Sequence, residues 1–550
     1  MSTFKRSPFN KQSNRIFDIH QHQIRRKKLV ESPTAQPYNN RDTNAQHQHK
    51  VSRIRQLATF SPVRHWFLEN LRNYCNSTSL HGFNYITLKG STANERYFWI
   101  IIVIISIIVS IVLVIVSWNW NRATPTVTVI ESAHFPTWNI PFPAVTICNF
   151  NKISKVKAMT LARTFKRPAN VSEEKLLNLF RITMFFNFAL NHTEEDFRLF
   201  ENILTTNNYT ITQLSNELTP DCLEMMSKCV WKGTRSRCES LFQPVQAMEG
   251  VCCSFNYYGR PTNNFPKKIA YQIPKRPYRV TGCGYATGIS VVLNPIIKDY
   301  FGTYLSSYGF RMLIHDAYNF PDENAETKVV TSGRESFVRI NPESTYATND
   351  VRKMDIELRG CLFSDERKLW SMKRYSFINC MSECRTQILY DNCGCIPLSL
   401  ANNGSFRTCD LREMDCVMKM RDIFSWALPT VNRTVSLVQN THKFPCDCLP
   451  DCQFNGYPSE ITMGLLDMNL LSAKNPVNKT VETDEQILLH VFFSDLMAKR
   501  YRMDIFQDWL SSLASFGGLL GLIMGFSIVT AFEFLYFLTF RPIFNYFNDS

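Results

Sequence analysis

Trp509 to Phe540 reads WLSSLASFGGLLGLIMGFSIVTAFEFLYFLTF, 32 residues with one charge, Glu533. A straight helix of that length would measure about 48 Å, well beyond a hydrocarbon core of about 30 Å, so it either projects past the bilayer or is interrupted. Gly525-Phe526-Ser527 is the expected interruption. Gly517, Gly521 and Gly525 recur at i, i+4, a spacing that lets helix backbones approach closely. On their own these glycines fit plain helix packing. Glu533 changes the balance, because an acid at the bilayer centre costs about 2.5–3.5 kcal/mol on insertion scales and normally faces water or a partner. Glycines that break a span, followed by an acid, predict a water-filled cation route.

Outward from this stretch, Trp99 to Trp118 is a second charge-free run of 20 residues, long enough to cross a bilayer. It starts too far into the chain, and is too long, for a cleaved secretory signal. Trp99 at one end and Trp118 and Trp120 at the other suit the two headgroup belts. Residues 1–96 carry 16 Lys/Arg against 5 Asp/Glu, including the run Arg25, Arg26, Lys27 and Lys28, which puts this side in the cytosol by the positive-inside rule. Arg541 returns the tail to the same side. The chain thus divides into a cytosolic basic segment (1–96), a first span (97–118), an exterior domain (119–507), a second span (508–540) and a cytosolic tail (541–550). The Gln/His/Asn-rich tract 35–49 predicts disorder in the basic arm. No interleaved aromatic platform or zinc-finger spacing supports a nucleic-acid partner; membrane lipid is the partner the basic arm and the spans imply.

Seventeen of the 18 cysteines lie between the spans, as an oxidising exterior predicts, and only Cys75 lies before them. Ten crowd residues 361–452. The i, i+4 pairs Cys380/Cys384 and Cys448/Cys452 would put two sulfurs on one face of each of two helices. Such a region, stapled by disulfides at about 2–4 kcal/mol each, would be stiff; a zinc cluster would need reduced thiols, which an exterior location disfavours. Apolar alternation in Arg311–Ile314 and Phe337–Ile340 predicts strands, and Leu176–Leu190 a helix, giving an α+β membrane protein. Sequons at Asn170, Asn191, Asn208, Asn403, Asn432 and Asn478 are candidate glycosylation sites on the exterior part. No HExxH, Walker or GxSxG motif points to an enzyme, and no metal or cofactor is expected; His134, His192, His315 and His490 read as surface or hydrogen-bonded histidines.

Several motifs now fall in order. His81-Gly82 precedes the first span, FPAVTIC (Phe142 to Cys148) follows it, and GVCCSFN runs from Gly250 to Asn256. YSFINCMSEC ends at Cys384, CGCIP runs from Cys393 to Pro397, and CDCLPDC runs from Cys446 to Cys452. Gly517-Gly518, Gly525-Phe526-Ser527 and Glu533 complete the series. In this order the chain resembles the degenerin/epithelial sodium channel (DEG/ENaC) superfamily, and its insect pickpocket-like branch, over about Leu80 to Pro542.

The resemblance implies a homo- or heterotrimer of related subunits, each with palm, β-ball, finger, knuckle and thumb above two helices, in the plasma membrane. It implies a sodium-permeable, voltage-independent cation channel opened by an extracellular ligand or by force, without naming the stimulus. It assigns Gly525, Phe526 and Ser527 to the filter; Ala514, Gly517, Gly518, Gly521 and Glu533 to the pore and gate; and His81 and Gly82 to a re-entrant gating segment. It implies the disulfides Cys148–Cys252, Cys229–Cys238, Cys361–Cys452, Cys380–Cys448, Cys384–Cys446, Cys393–Cys416 and Cys395–Cys409, and leaves Cys222, Cys253 and Cys283 unassigned. Phe526 is bulkier than the family's usual filter residue, which bears on sodium selectivity. Tyr536 stands where acid-sensing relatives carry Asp, and residues 97–507 have a net charge of +5, with no carboxylate excess for proton sensing. A two-span scavenger-type receptor for lipid or lipoprotein is the alternative; it has no need of Gly525, Ser527 and Glu533 in a span.

Overall fold

The computed structural model describes residues 62–186, 193–259, 275–303, 305–402, 404–420, 446–467, 485–541 and 543–544. The run Arg25–Lys28, the tract 35–49, His192 and the sequons Asn191, Asn403, Asn432 and Asn478 lie outside the described residues; Asn170 and Asn208 lie within them and are exposed. Residues 1–73 group as one unit, seen here as the start of helix Pro62–Ser77, and residues 74–550 as the other.

Helix Ala93–Ala123 overruns the predicted span at both ends. Its start is fixed by a capping box, in which Thr92 Oγ1 accepts from the Glu95 N–H and Glu95 accepts from the Thr92 N–H. The helix is apolar enough to cross a membrane and leaves most of its apolar surface uncovered by the rest of the chain. Strand Thr126–Pro136 leaves it directly and pairs antiparallel with Met497–Ile505, the strand that enters the second apolar segment. Glu343–Ala347 and Phe454–Gly456 extend this into a four-stranded sheet. The Phe506 N–H donates to Pro125 O (2.9 Å), so both apolar segments hang from adjacent strand ends.

Two larger sheets enclose the main core. Ala144–Asn149 lies in the middle of a five-stranded antiparallel sheet, and Ile487–Phe493 lies inside a six-stranded mixed sheet. Val145, Ile147, Phe255, Phe310 and Ile314 from the first pack with Ile289, Val291, Val338, Leu489 and Phe493 from the second. The alternate residues Ala144 and Cys148 pack on the opposite face, as a period of two dictates. A separate helical core joins Leu176, Phe180, Phe200, Leu204 and Leu214 to Leu411, Met414 and Val417 beside Cys395–Cys409. The helix expected over 176–190 is realised as Glu173–Phe180 and then a 3₁₀ turn, Arg181–Phe186. Arg311–Ile314 and Phe337–Ile340 are strands. Both buried histidines are hydrogen-bonded, His315 to Thr146 and His490 to Ser290 and Glu335, and burial pulls His315 down to about 4.

The structure contains the seven disulfides that the resemblance implies, adds Cys222–Cys253, and leaves Cys75 buried and Cys283 exposed as free thiols. Cys380 and Cys384 do share a face of helix Phe377–Cys393, but Cys446–Cys452 is not a helix. Pro450 removes an N–H and restricts the residue before it, so this segment runs irregularly, with Cys446 and Cys448 facing Cys384 and Cys380. Cys452 turns instead to Cys361.

Where this segment meets the helix N-terminus, Asp451 Oδ2 accepts the Phe377 N–H (3.2 Å) and the Asp316 carboxylate accepts the Tyr318 N–H (3.0 Å). Burial raises both carboxyls, Asp451 to about 6. An Asp raised on folding favours the folded state in its protonated form, so this contribution is complete below about pH 3.8 and fades as pH rises through about 6. Asp451→Asn should therefore flatten part of the rise in thermal midpoint that the wild type shows from pH 7 to pH 5; an unchanged slope would contradict the burial. Cys384→Ser and Cys446→Ser should each lower the melting temperature, and the double variant should be no worse than either single; additive losses would break the pairing.

Candidate functional site

Helix Trp509–Met524 begins on Asp508, whose Oδ1 accepts the Ser511 N–H at 2.7 Å. It ends where Gly525 takes the left-handed conformation, φ +69°, and a second helix, Ile528–Leu535, restarts after Ser527. The two helical parts are bent by 69°. Gly525 suits this turn because a side chain there would be strained. Ser527 and Thr530 form the cap of the restart: the Thr530 N–H donates to Ser527 Oγ (3.3 Å) and the Ser527 N–H to Thr530 Oγ1 (2.6 Å). Beyond Leu535 the chain makes a π turn, Tyr536–Phe540.

The segment around His81 lies against this break. The His81 N–H donates to Met524 O at 2.9 Å, taking up a carbonyl released at the end of the helix. A Cβ built on Gly525 would lie 2.8 Å from His81 Nε2, so the ring sits where only glycine leaves room. Gly82, at φ +85°, turns the chain into the short helix Phe83–Thr87; a Cβ there would lie 2.9 Å from Val103 of the first apolar helix. Tyr85 stacks on Trp99 with ring centroids 4.4 Å apart. His81 and Gly82 are thus wedged between the two apolar segments.

Glu533 meets the same segment. Its Oε2 accepts from the Ser79 N–H (3.3 Å) and the Ser79 hydroxyl (3.2 Å), while Tyr74 packs edge-on against Phe534 and Phe537. Ser79, Tyr74 and Thr530 were not singled out from the sequence. Ser527-x-x-Thr530 could have been read as a capping pattern, whereas nothing in the sequence links Ser79 to a residue 454 positions away. Ala514, Gly517 and Gly518 lie on an exposed part of helix Trp509–Met524, and among the described residues nothing beyond the surrounding helix backbone comes within 4 Å of a Cβ built on either glycine. A Cβ built on Gly521 would lie 3.6 Å from Phe526 O.

The arrangement offers a helix break with polar backbone, a hydroxyl and a carboxylate in an otherwise apolar segment, braced by a histidine. Among the described residues, the one cluster with metal-ligand geometry is Cys395, Cys409 and Glu413, and its two thiols are joined as a disulfide.

Gly525→Ala should destabilise the full chain in detergent by more than the roughly 1–2 kcal/mol of left-handed strain, because the new methyl meets the His81 ring. Adding His81→Ala should recover part of the loss, a coupling of about 0.5–3 kcal/mol; strictly additive effects would separate the two residues.

Residues 74–537 match the family model described as amiloride-sensitive sodium channel. Pickpocket protein 11 of Drosophila melanogaster is 27% identical over 86% of this chain and 76% of its own length. Sodium channel protein Nach of Drosophila ananassae is 25% identical over 89% of this chain and 90% of its own. Acid-sensing ion channel 1C of Danio rerio is 23% identical over 85% and 83%. The receptor reading finds no support in these matches. With the model covering most of its length, the chain belongs to the amiloride-sensitive sodium channel family, a family of ion channels and not of enzymes.

Proposed function

We propose that this chain is a subunit of a sodium-permeable cation channel of the plasma membrane, opened by an extracellular stimulus. Helix Ala93–Ala123 and the broken helix Trp509–Phe540 are its two spans, with both termini cytosolic and the disulfide-bonded domain outside. The observation that carries this reading is the break at Gly525–Ser527, seated on His81 and followed by Glu533. Irregular backbone is tolerated at membrane depth where it is buried in protein or lines a wet path. Oxygen atoms at such a break can replace part of an ion's hydration shell, and a ring of carboxylates concentrates cations. Gly525, Phe526 and Ser527 would form the filter, with sodium as the permeant ion and no bound cofactor.

Three copies, identical or related, would close the pore. The exposed small residues Ala514, Gly517 and Gly518 leave a face on which neighbouring helices can approach, and lipid would cover the apolar surface of Ala93–Ala123. The spans carry no ladder of arginines, which favours gating without a voltage sensor. Relatives whose names include acid-sensing and sodium channel proteins favour the same class.

Ala514→Val tests this without knowledge of the stimulus. A larger side chain near the axis crowds the shut state, and a bias of about 1.4 kcal/mol raises the open-to-closed ratio tenfold. Oocytes expressing the variant should carry a standing inward current, with a reversal potential that shifts by up to about 59 mV per tenfold change in external sodium. Surface-expressed variant with no sodium-dependent current would contradict the channel reading.

A further inference from the structure

Away from the spans, strand Asn151–Ser154 places a lysine inside the protein. The Lys152 side chain is 15% exposed, and its ammonium lies 3.6 Å from Glu249, a carboxylate that is itself 6% exposed. Arg311 reaches the other oxygen of Glu249 at 2.5 Å, so two cations share one acid. Glu249 sits at the tip of the hairpin formed by Phe242–Ala247 and Gly250–Phe255, and Arg311 on strand Gly309–His315. A small cavity of about 50 Å³ opens beside them, lined also by Asn151, Thr183, Ser215 and Ser399. Its walls come from strands Ala144–Asn149 and Asn151–Ser154, the hairpin that carries Glu249, the helix Ile211–Leu218 and the segment after Cys395. It is large enough for water to carry a proton in or out.

Glu249 favours the charged form of Lys152 and Arg311 opposes it. Beyond them stand Glu323 and Asp322, whose main cationic neighbour is Arg385 of helix Phe377–Cys393. Desolvation outweighs the attraction of Glu249 and pulls Lys152 down to about 8.

We propose that Lys152 is a base-sensitive latch, releasing its proton through this cavity as the surrounding fluid turns alkaline while Arg311 keeps its ion pair with Glu249. The packed arrangement binds fewer protons there than any state in which Lys152 is hydrated. Rising pH above about 8 therefore favours the packed state, by up to about tenfold per pH unit for one proton. Because the cavity joins the hairpin to the helical core, the latch would set how tightly those parts pack. That gating responds to it rests on the channel reading.

The test compares the full wild-type chain in detergent with Lys152→Arg and Lys152→Met by thermal unfolding from pH 7 to pH 9.5. Arginine keeps its charge throughout, so relative to Lys152→Arg the wild-type unfolding constant should fall by up to about tenfold per pH unit above pH 8. Lys152→Met, which cannot charge, should show no such gain. Parallel curves for wild type and Lys152→Arg would overturn the proposal. In oocytes, the Ala514→Val current should respond to alkaline steps with Lys152 present and lose that response with Lys152→Arg. A response that survives in Lys152→Arg would overturn the link to gating. No current in either, with the unfolding pattern intact, would support the latch and count against the channel reading.

Discussion

A carbonyl set free at a helix end in an apolar segment must find a donor, and this requirement organises the region around the two apolar helices. The break at Gly525 releases Met524 O, and the His81 N–H takes it up. An unpaired backbone group in such surroundings would cost several kcal/mol, so the break and the His81 segment stabilise each other. The left-handed glycine and the Ser527–Thr530 cap then fix the two helix ends on either side. Ser79, two residues before His81, reaches Glu533 two helical turns further on. One backbone bond and one carboxylate thus tie the segment Ser79–Gly82 to the broken helix.

The disulfide-bonded domain is joined to this region through short, continuous contacts. Cys361 Sγ, bonded to Cys452, lies 3.8 Å from Met503 Sδ on strand Met497–Ile505. The Thr348 N–H donates to Met503 O and its hydroxyl to Asp504. Four residues after Asp504, Asp508 caps the broken helix. The disulfides at the root of helix Phe377–Cys393 make this end stiff, and the paired strands Thr126–Pro136 and Met497–Ile505 pass directly into the two apolar segments. Physical continuity of this kind is a condition for coupling between the disulfide-bonded domain and the apolar helices, and measured coupling establishes it.

Much of this was legible in the sequence because it rests on residues with narrow conformational roles. Glycine before a serine in an apolar run marked the break, and the cysteine spacings, read through the family resemblance, matched seven of the disulfides. The reading of Cys448/Cys452 as a helical pair failed because spacing alone ignored Pro450. Helix Ala93–Ala123 runs past the hydrophobic run, and its Thr92–Glu95 cap was illegible because it lies among polar residues outside that run. Strand partners were illegible for a different reason: Arg334–Ile340 pairs in parallel with Ile487–Phe493 across a long stretch of chain, and apolar runs do not name their neighbours. Ser79 and Lys152 are ordinary residues in sequence, and only the fold brings Glu533 to one and Glu249 to the other.

The central claim is that the break at Gly525–Ser527 is the narrow part of a cation path. Ser527→Cys in the Ala514→Val background tests it most directly, since thiolates converging on an axis bind cadmium, whereas a hydroxyl does not. Cadmium applied from outside should block the standing current of the cysteine variant and spare that of Ala514→Val alone. An unblocked current, with the new thiol present in surface protein, would place the constriction elsewhere.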